Sequence, residues 1–318
     1  MNNRSKANYL TLKTKGFLLI SVFIMVLSGT SIAKAKLNKK QQSTRTLRSM
    51  ARIYMAYGEY AKAQPFAEKA LNLARRKGTA DSELAMCLID TAILYKNQNK
   101  LVDAEKMCES GLKLQKKVLY ENHPYLAYTL STLSSIYSEQ GKYYQAGAAL
   151  EEAMAIMLDS HSADDTIMAP FFVDIAKLHV AQGNLEEAET YYQKAMLLIN
   201  SSYGPDHLYT ANVIADMAKL FVLQKKYAQA EESINQAVTV QEKIYGSDHH
   251  LIAPSWLTKA KIYQVKGEHV QSEKLVNRAL VAIEKSGNTA SFTKLQQEAK
   301  AISISKQVAY APATRTIE

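Results

Sequence analysis

The apolar and polar positions of this chain recur as a block. With Tyr137 as an anchor, steps of 42 residues land on His179, Phe221 and Tyr263 in one direction and Tyr95 in the other, with Tyr54 a further 41 residues back. The residue before each anchor is aliphatic: Ile53, Leu94, Ile136, Leu178, Leu220, Ile262. The residue three before is small: Ala51, Ala92, Ser134, Ala176, Ala218, Ala260. Nine after come Ala63, Ala104, Ala146, Ala188, Ala230 and Ser272; sixteen after come Ala70, Gly111, Ala153, Ala195, Ala237 and Ala279. Four columns in register over six copies define a repeat array, which grows by adding units rather than by enlarging one core.

Inside a block the spacing is helical on both sides of one polar break. Leu126, Leu130, Leu133 and Tyr137 step by 4, 3 and 4, and Ala146, Leu150, Ala153, Met154 and Met157 continue as a second stripe. The break is Gly141-Lys142; Gly58, Gly183 and Gly267 hold the same offset, while Asn99 and Lys225 replace glycine in the other two copies. Glycine or asparagine just past a helix end suits a left-handed cap, so each block predicts an antiparallel helix pair, with a strained or re-formed turn at Lys225. The small columns mark where the paired helices approach too closely for a larger side chain. Histidines 123, 207 and 249 share one loop position in three blocks, which predicts capping or turn roles. After the sixth block, Phe292, Leu295, Ala299 and Ile302 share one face of a closing helix over residues 291–305.

A small residue, an aliphatic two later, an aromatic next, then glycine, a second aromatic and two alanines resembles the tetratricopeptide repeat. The match covers about residues 44–286, and the 42-residue period resembles the kinesin-light-chain-type variant with its longer second helix. The loops Glu121-Asn122-His123-Pro124, Gly204-Pro205-Asp206-His207 and Gly246-Ser247-Asp248-His249 echo that variant; residues 160–165 depart from it, and the early Trp of the family pattern is absent throughout. The resemblance implies an all-α fold: a right-handed α-α superhelix (TPR solenoid) of about six helix-turn-helix repeats plus a C-terminal capping helix. It also implies that first helices line a concave groove that holds a partner segment.

Composition changes the picture mainly at the N-terminus. With 47% apolar and 22% charged residues the 318-residue chain is globular in composition. Of the net charge of +9, residues 1–35 supply +5 through Arg4, Lys6, Lys13, Lys15 and Lys34. The rest is spread among interleaved acids and bases, too mild and scattered to indicate nucleic acid. Residues 1–15 are basic, 16–27 form an apolar run, and 28–35 are small and end Ala33-Lys34-Ala35, the order of a secretory leader. Cleavage after Ala35 predicts a periplasmic or secreted protein of bacterial type. Extending the run through Ala33 gives about 18 residues, so an uncleaved inner-membrane anchor is the alternative, and membrane contact is expected only in that case. No cysteine follows the run to carry a lipid. The organisation expected is a leader over 1–35, a disordered spacer over 36–43, the solenoid with its capping helix over 44–306, and a disordered tail over 307–318.

Chemistry is scarce. No phosphate-binding glycine loop, G-x-S-x-G, H-E-x-x-H or C-x-x-C occurs, so no catalytic residue, cofactor or metal is assigned and the expectation is a protein without catalysis. His179 stands in the anchor column and is read as packed. The His249-His250 pair is the one candidate for a metal, against a structural role. Cys87 and Cys108 fall on the two helices of the second block, where an oxidising compartment permits a disulfide and the alternative is two buried thiols. The column two before the anchor, which the resemblance places in the groove, reads Arg52, Ile93, Ser135, Lys177, Lys219, Lys261. Its three consecutive lysines suggest a strip for an acidic protein or peptide partner. Asp174 and Asp216, three residues before Lys177 and Lys219, offer the plainer reading of ion pairs along a solvated helix. The function expected is an interaction scaffold of the cell envelope or exterior, with a membrane-anchored accessory or sensor subunit as the alternative.

Overall fold

The computed structural model describes residues 43–76, 80–159, 165–287 and 292–309. The expected leader and most of the spacer lie outside them, as do residues 160–164 and the tail from 310 onward. Thirteen α-helices and no strand occur among the described residues. They form six pairs: α1 (Thr44–Ala56) with α2 (Tyr60–Ala74), α3 (Asp81–Asn97) with α4 (Leu101–Val118), α5 (Pro124–Glu139) with α6 (Tyr143–Asp159), α7 (Ala169–Gln182) with α8 (Leu185–Ser202), α9 (Leu208–Leu223) with α10 (Tyr227–Tyr245), and α11 (Ala253–Val265) with α12 (His269–Lys285). The closing helix α13 spans Thr293–Ala309, a few residues beyond the stretch read from the sequence. Short 3-10 turns at Asp165–Met168 and His250–Ile252 lead into α7 and α11.

The pairs form as the pattern predicts, through one recurring turn. In all six copies the residue four past the anchor is left-handed, and the next N–H returns to the anchor's carbonyl at 2.8–2.9 Å, as from Glu59 to Tyr54, Lys142 to Tyr137 and Lys226 to Phe221. This Schellman closure satisfies carbonyls that a helix end leaves open. Asn99 and Lys225 adopt it at φ 59° and 61°, where a Cβ is strained. The three shared-position histidines are N-caps: the Nδ1 of His123, His207 and His249 accepts from the N–H of Tyr125, Tyr209 and Leu251 at 3.1, 3.2 and 3.3 Å.

Packing explains the columns. Every residue of the three small columns is buried, and helices of a pair touch there directly. Ser134 Oγ donates to the Ala146 carbonyl at 2.8 Å, and in the sixth copy the roles exchange, with Ser272 Oγ donating to the Ala260 carbonyl at 2.9 Å. The aliphatic column packs against the preceding repeat: Leu94 on Ala51, Ala63 and Ala67, and Leu178 on Ala146 and Leu150. Ile53, which has no such repeat before it among the described residues, is 43% exposed. Tyr137 does more than separate its own two helices. It contacts the clusters on both sides, and its hydroxyl donates to Glu109 of the preceding repeat at 2.9 Å. Polar contacts add a seam: Gln140 and Lys142 both reach Glu105, and Gln224 and Lys226 both reach Glu189, each time one repeat back.

Four of the five successive first-helix pairs pack on one another and Lys177 of α7 reaches Asp216 of α9 across the fifth, whereas second helices make no comparable contacts among themselves, so the first helices form the inner wall. The array curls until its ends meet. The turn of the first repeat lies against the loop before α11, where a Cβ built on Gly58 would stand 2.6 Å from His250 Nε2 and 2.8 Å from Leu251 Cδ2. Tyr60 packs into the core of the last two repeats, its ring 6.4 Å from that of Phe292. His250 is buried in this closure, edge-on to Phe292. Burial and the adjacent His249 hold its imidazole below the ordinary value, against Glu59 and the backbone of Gly58 and Tyr57.

Two outcomes follow from these turns. Lys225→Gly removes a strained side chain and raises unfolding free energy by about 1 kcal/mol, read by urea denaturation. Gly58→Ala costs more than Gly141→Ala by about 1–3 kcal/mol, because both lose left-handed freedom but only Gly58 faces an occupied space. X-ray scattering of the Gly58→Ala protein is expected to show a longer maximum dimension; equal costs and equal dimensions would refute the closure.

Candidate functional site

The inner wall places the column read from the sequence as expected, but nearly every member already has a partner. Arg52 Nε donates to Asp90 at 2.9 Å, and Ser135 Oγ receives Lys96 at 3.0 Å. Lys177 and Lys219 share Asp216, at 3.1 and 2.9 Å, and Lys261 reaches Glu298 of the closing helix at 2.5 Å. The i,i+3 pairing holds for Lys219 alone. Lys177 bonds the aspartate of the next repeat, because a side chain on the inner wall points across the narrow gap between first helices. Burial tends to raise the Asp216 carboxyl, yet the Lys219 and Lys177 ammoniums outweigh it and hold it at about 2. Asp174 is pushed the other way: burial raises it, opposed by its bond from the Ser131 hydroxyl and by Lys177 and Lys96. In this half of the groove, lysines and carboxylates face each other in near-equal number. The three lysines are therefore no free basic strip.

The first half differs. Arg45, Arg48 and Arg52 are spaced 3 and 4 apart along α1 and line one cavity of about 460 Å³ with Asp90 and Ile93 of α3, Gln115 of α4, and Tyr125, Tyr128 and Thr132 of α5. Asp90, 2% exposed, takes the Nε of Arg48 at 2.6 Å and of Arg52 at 2.9 Å. Arg45 has no ion pair among the described residues. The sequence reading found Arg52 and missed Arg45, Arg48, Asp90 and Gln115, which lie outside the repeat columns it followed. The i, i+3, i+7 run of arginines was the available signal.

Among the described residues no other cluster of cysteines or histidines competes with the groove as a site. Cys87 and Cys108 are separate buried thiols, as the plainer reading held, and desolvation pushes them up to about 11 and about 12, so neither is an activated nucleophile. His249 and His250 stack 4.4 Å apart, but His249 Nδ1 is engaged in its cap and His250 faces the Gly58 turn. No group of three metal-ligating side chains occurs among the described residues. His179 stacks on Tyr191 at 5.5 Å, half-buried, so it packs at the edge of its repeat. No helix among the described residues is long and apolar enough to cross a membrane.

The tetratricopeptide repeat model matches residues 42–117, 92–159 and 168–243, together more than half of the sequence. The chain belongs to the tetratricopeptide repeat family. Its units recur at the 42-residue period. No curated protein matches the chain in sequence. Among solved structures, NprR in complex with its cognate peptide NprX aligns with a TM-score of 0.63 at 12% identity, covering 95% of this chain and 86% of that chain. A Rap protein complexed with Competence and Sporulation Factor gives 0.59 at 11%, covering 84% and 76%. A putative kinesin light chain from Podosopora anserina gives 0.49 at 20%, covering 65% and 97%. The likenesses to NprR and the Rap protein establish the fold of the tetratricopeptide array, an all-α superhelix.

Within that array Asp90 is the most exacting polar residue, a carboxylate buried between two guanidiniums. Asp90→Ala leaves Arg48, 12% exposed, without its counter-charge and lowers stability by about 3 kcal/mol in chemical denaturation.

Proposed function

We propose that this tetratricopeptide array is a non-catalytic interaction scaffold that holds a peptide segment of a protein partner in its concave groove. The observation that carries this reading is the division of labour along each repeat. Most residues that recur are buried and build the frame, while the inward-facing column changes along the array, from Arg52 through Ile93 and Ser135 to Lys177, Lys219 and Lys261. A surface of varied polar side chains on a rigid frame suits recognition of one extended segment. The relatives crystallised with a cognate peptide and with Competence and Sporulation Factor support the same use of the fold. Because Lys177, Lys219 and Lys261 are ion-paired, they contribute hydrogen bonds and shape rather than net positive charge.

The leader over residues 1–35 supports a place in the bacterial cell envelope or exterior, with cleavage after Ala35. The 18-residue apolar stretch supports the second reading, an anchored accessory or sensor subunit docked on an envelope complex. N-terminal sequencing of the fractionated protein separates the two: a soluble periplasmic chain beginning near Lys36 excludes the anchor.

A photo-reactive residue at Ser135 tests the groove. It is expected to capture a protein partner in living cells, whereas the same residue at Tyr144, which is 89% exposed on a second helix, captures none. Capture at Tyr144 with none at Ser135 would move the working surface to the convex side.

A further inference from the structure

We infer that the meeting of the array's two ends is a latch released by acid: closed, it walls in the concave groove, and a proton on His250 parts the first repeat from the loop before α11. Only its effect on access to the groove rests on the reading above. Closure makes the groove an enclosed space. Lys96 of α3, Glu139 of α5 and Lys219 of α9 line one cavity of about 520 Å³ with Tyr60 of α2 and with Phe292 and Lys294 at the start of the closing helix. Inner-wall side chains share that space with both ends of the array because the ends touch, and while they do a segment of a folded partner has no open side by which to enter. The seam is also the slightest in the ring. Repeats dock on one another along whole apolar columns, whereas the ends meet through the turn at residues 57–60 and through His250, Leu251 and Phe292. The seam with the least buried contact opens at the least cost. Opening has a pivot as well. The first helices of the fourth and fifth repeats are bridged by the Lys177–Asp216 pair, and at that junction Met196, Ile214 and Met217 line a cavity of about 480 Å³, which leaves adaptable side chains room to repack.

His250 gives the seam its chemistry. It is 5% exposed, and its Nε2 lies 2.6 Å from where a Cβ of Gly58 would stand, so the turn of the first repeat closes directly on the edge of the imidazole. From that repeat it faces Glu59, which is paired with Lys62 at 2.9 Å, and the backbone of Tyr57 and Gly58. From its own loop it faces His249, stacked at 4.4 Å and packed in turn on Tyr245; from the closing helix it faces only the uncharged ring of Phe292. Burial raises the phenols of Tyr60 and Tyr245, so neither brings a charge. Burial and His249 oppose a proton on His250, Glu59 and the backbone favour one, and the opposing pair prevails. Linkage then sets the sign. The closed seam holds a neutral imidazole and the open one regains ordinary proton affinity, so closure is at full strength above about pH 6.5 and weakens progressively as pH falls below it.

Spin labels at Glu68→Cys of α2 and Lys274→Cys of α12, both exposed positions, read the distance across the seam, and the two native thiols are buried. Pulsed dipolar spectroscopy on the full chain is expected to find one short distance at about pH 8 and a longer population that grows several-fold between about pH 6.5 and about pH 5. His250→Phe and His250→Asn are neutral at every pH and differ in shape; whatever distance each starts from, neither is expected to change with pH. His249→Asn, which keeps an acceptor for the cap, still opens. A wild-type distance that ignores pH, or a response that persists undiminished in either neutral variant of His250, overturns the latch. Access is read separately. Labelling of Ser135→Cys by a bulky methanethiosulfonate, taken relative to Tyr144→Cys, is expected to rise several-fold on acidification and to stay level in His250→Phe; equal labelling at both pH values overturns the latch's control of the groove. A seam distance that responds to pH while the photo-reactive residue at Ser135 captures nothing removes the groove reading and leaves the latch standing.

Discussion

Every larger feature of this molecule depends on one contact, between the residue three before the anchor on a first helix and the residue nine after it on the second. At that point the backbones approach until only a methyl or a hydroxymethyl fits. The two serines show how narrow the tolerance is: Ser134 and Ser272 occupy opposite sides of the same contact in different repeats, and each donates to the carbonyl facing it. A buried hydroxyl costs stability unless bonded, and here the partner is guaranteed by the approach itself. In the second repeat the helices are close in a further place, where a Cβ on Gly111 would lie 2.8 Å from Ile89 Cγ1. Spacing within the pair then decides which way the aliphatic column points and how the next repeat docks.

The frame was legible because its causes are local and periodic. Small columns, left-handed caps and capping histidines recur at fixed offsets, and even the exception at Lys225 was readable as strain, because the Schellman geometry leaves that position no right-handed option. The paired lysines were only half legible. Sequence proximity points Lys177 at Asp174, but curvature brings Asp216 of the next repeat into reach instead. An inner wall compresses distances between repeats, so partners one repeat apart compete with partners one turn apart.

The meeting of the ends was not legible at all. Gly58 and His250 are joined by the summed rotation of every intervening repeat, and a small change per repeat displaces one end from the other by many ångströms. No residue pattern announces such a sum. Gly58 looks in sequence like the other cap glycines, yet Gly141 and Gly183 face open space while Gly58 does not. For the same reason the arginine cavity escaped notice. Its walls come from three repeats, and the residues that matter, Arg45, Arg48 and Gln115, are those in which a repeat departs from its neighbours.

Charge gives the groove a direction that its geometry lacks. In the second half Lys177 and Lys219 share Asp216 and Lys261 faces Glu298, so the field of either sign is largely cancelled within a few ångströms. In the first half three guanidiniums meet one aspartate, and Asp90, being buried, adds its field to orienting the guanidiniums more than to screening them. A segment lying along such a groove experiences attraction at one end only. Because exposed charges act over roughly a Debye length, about 8 Å at physiological salt, that attraction cannot be shared along a groove spanning six repeats. It fixes the register of one end and leaves selectivity along the remainder to the hydrogen bonds and shape of side chains such as Ser135 and Lys219. If a segment lies in the groove as proposed, the first repeat, whose inner face carries uncompensated charge, is where an array of near-identical units would gain polarity.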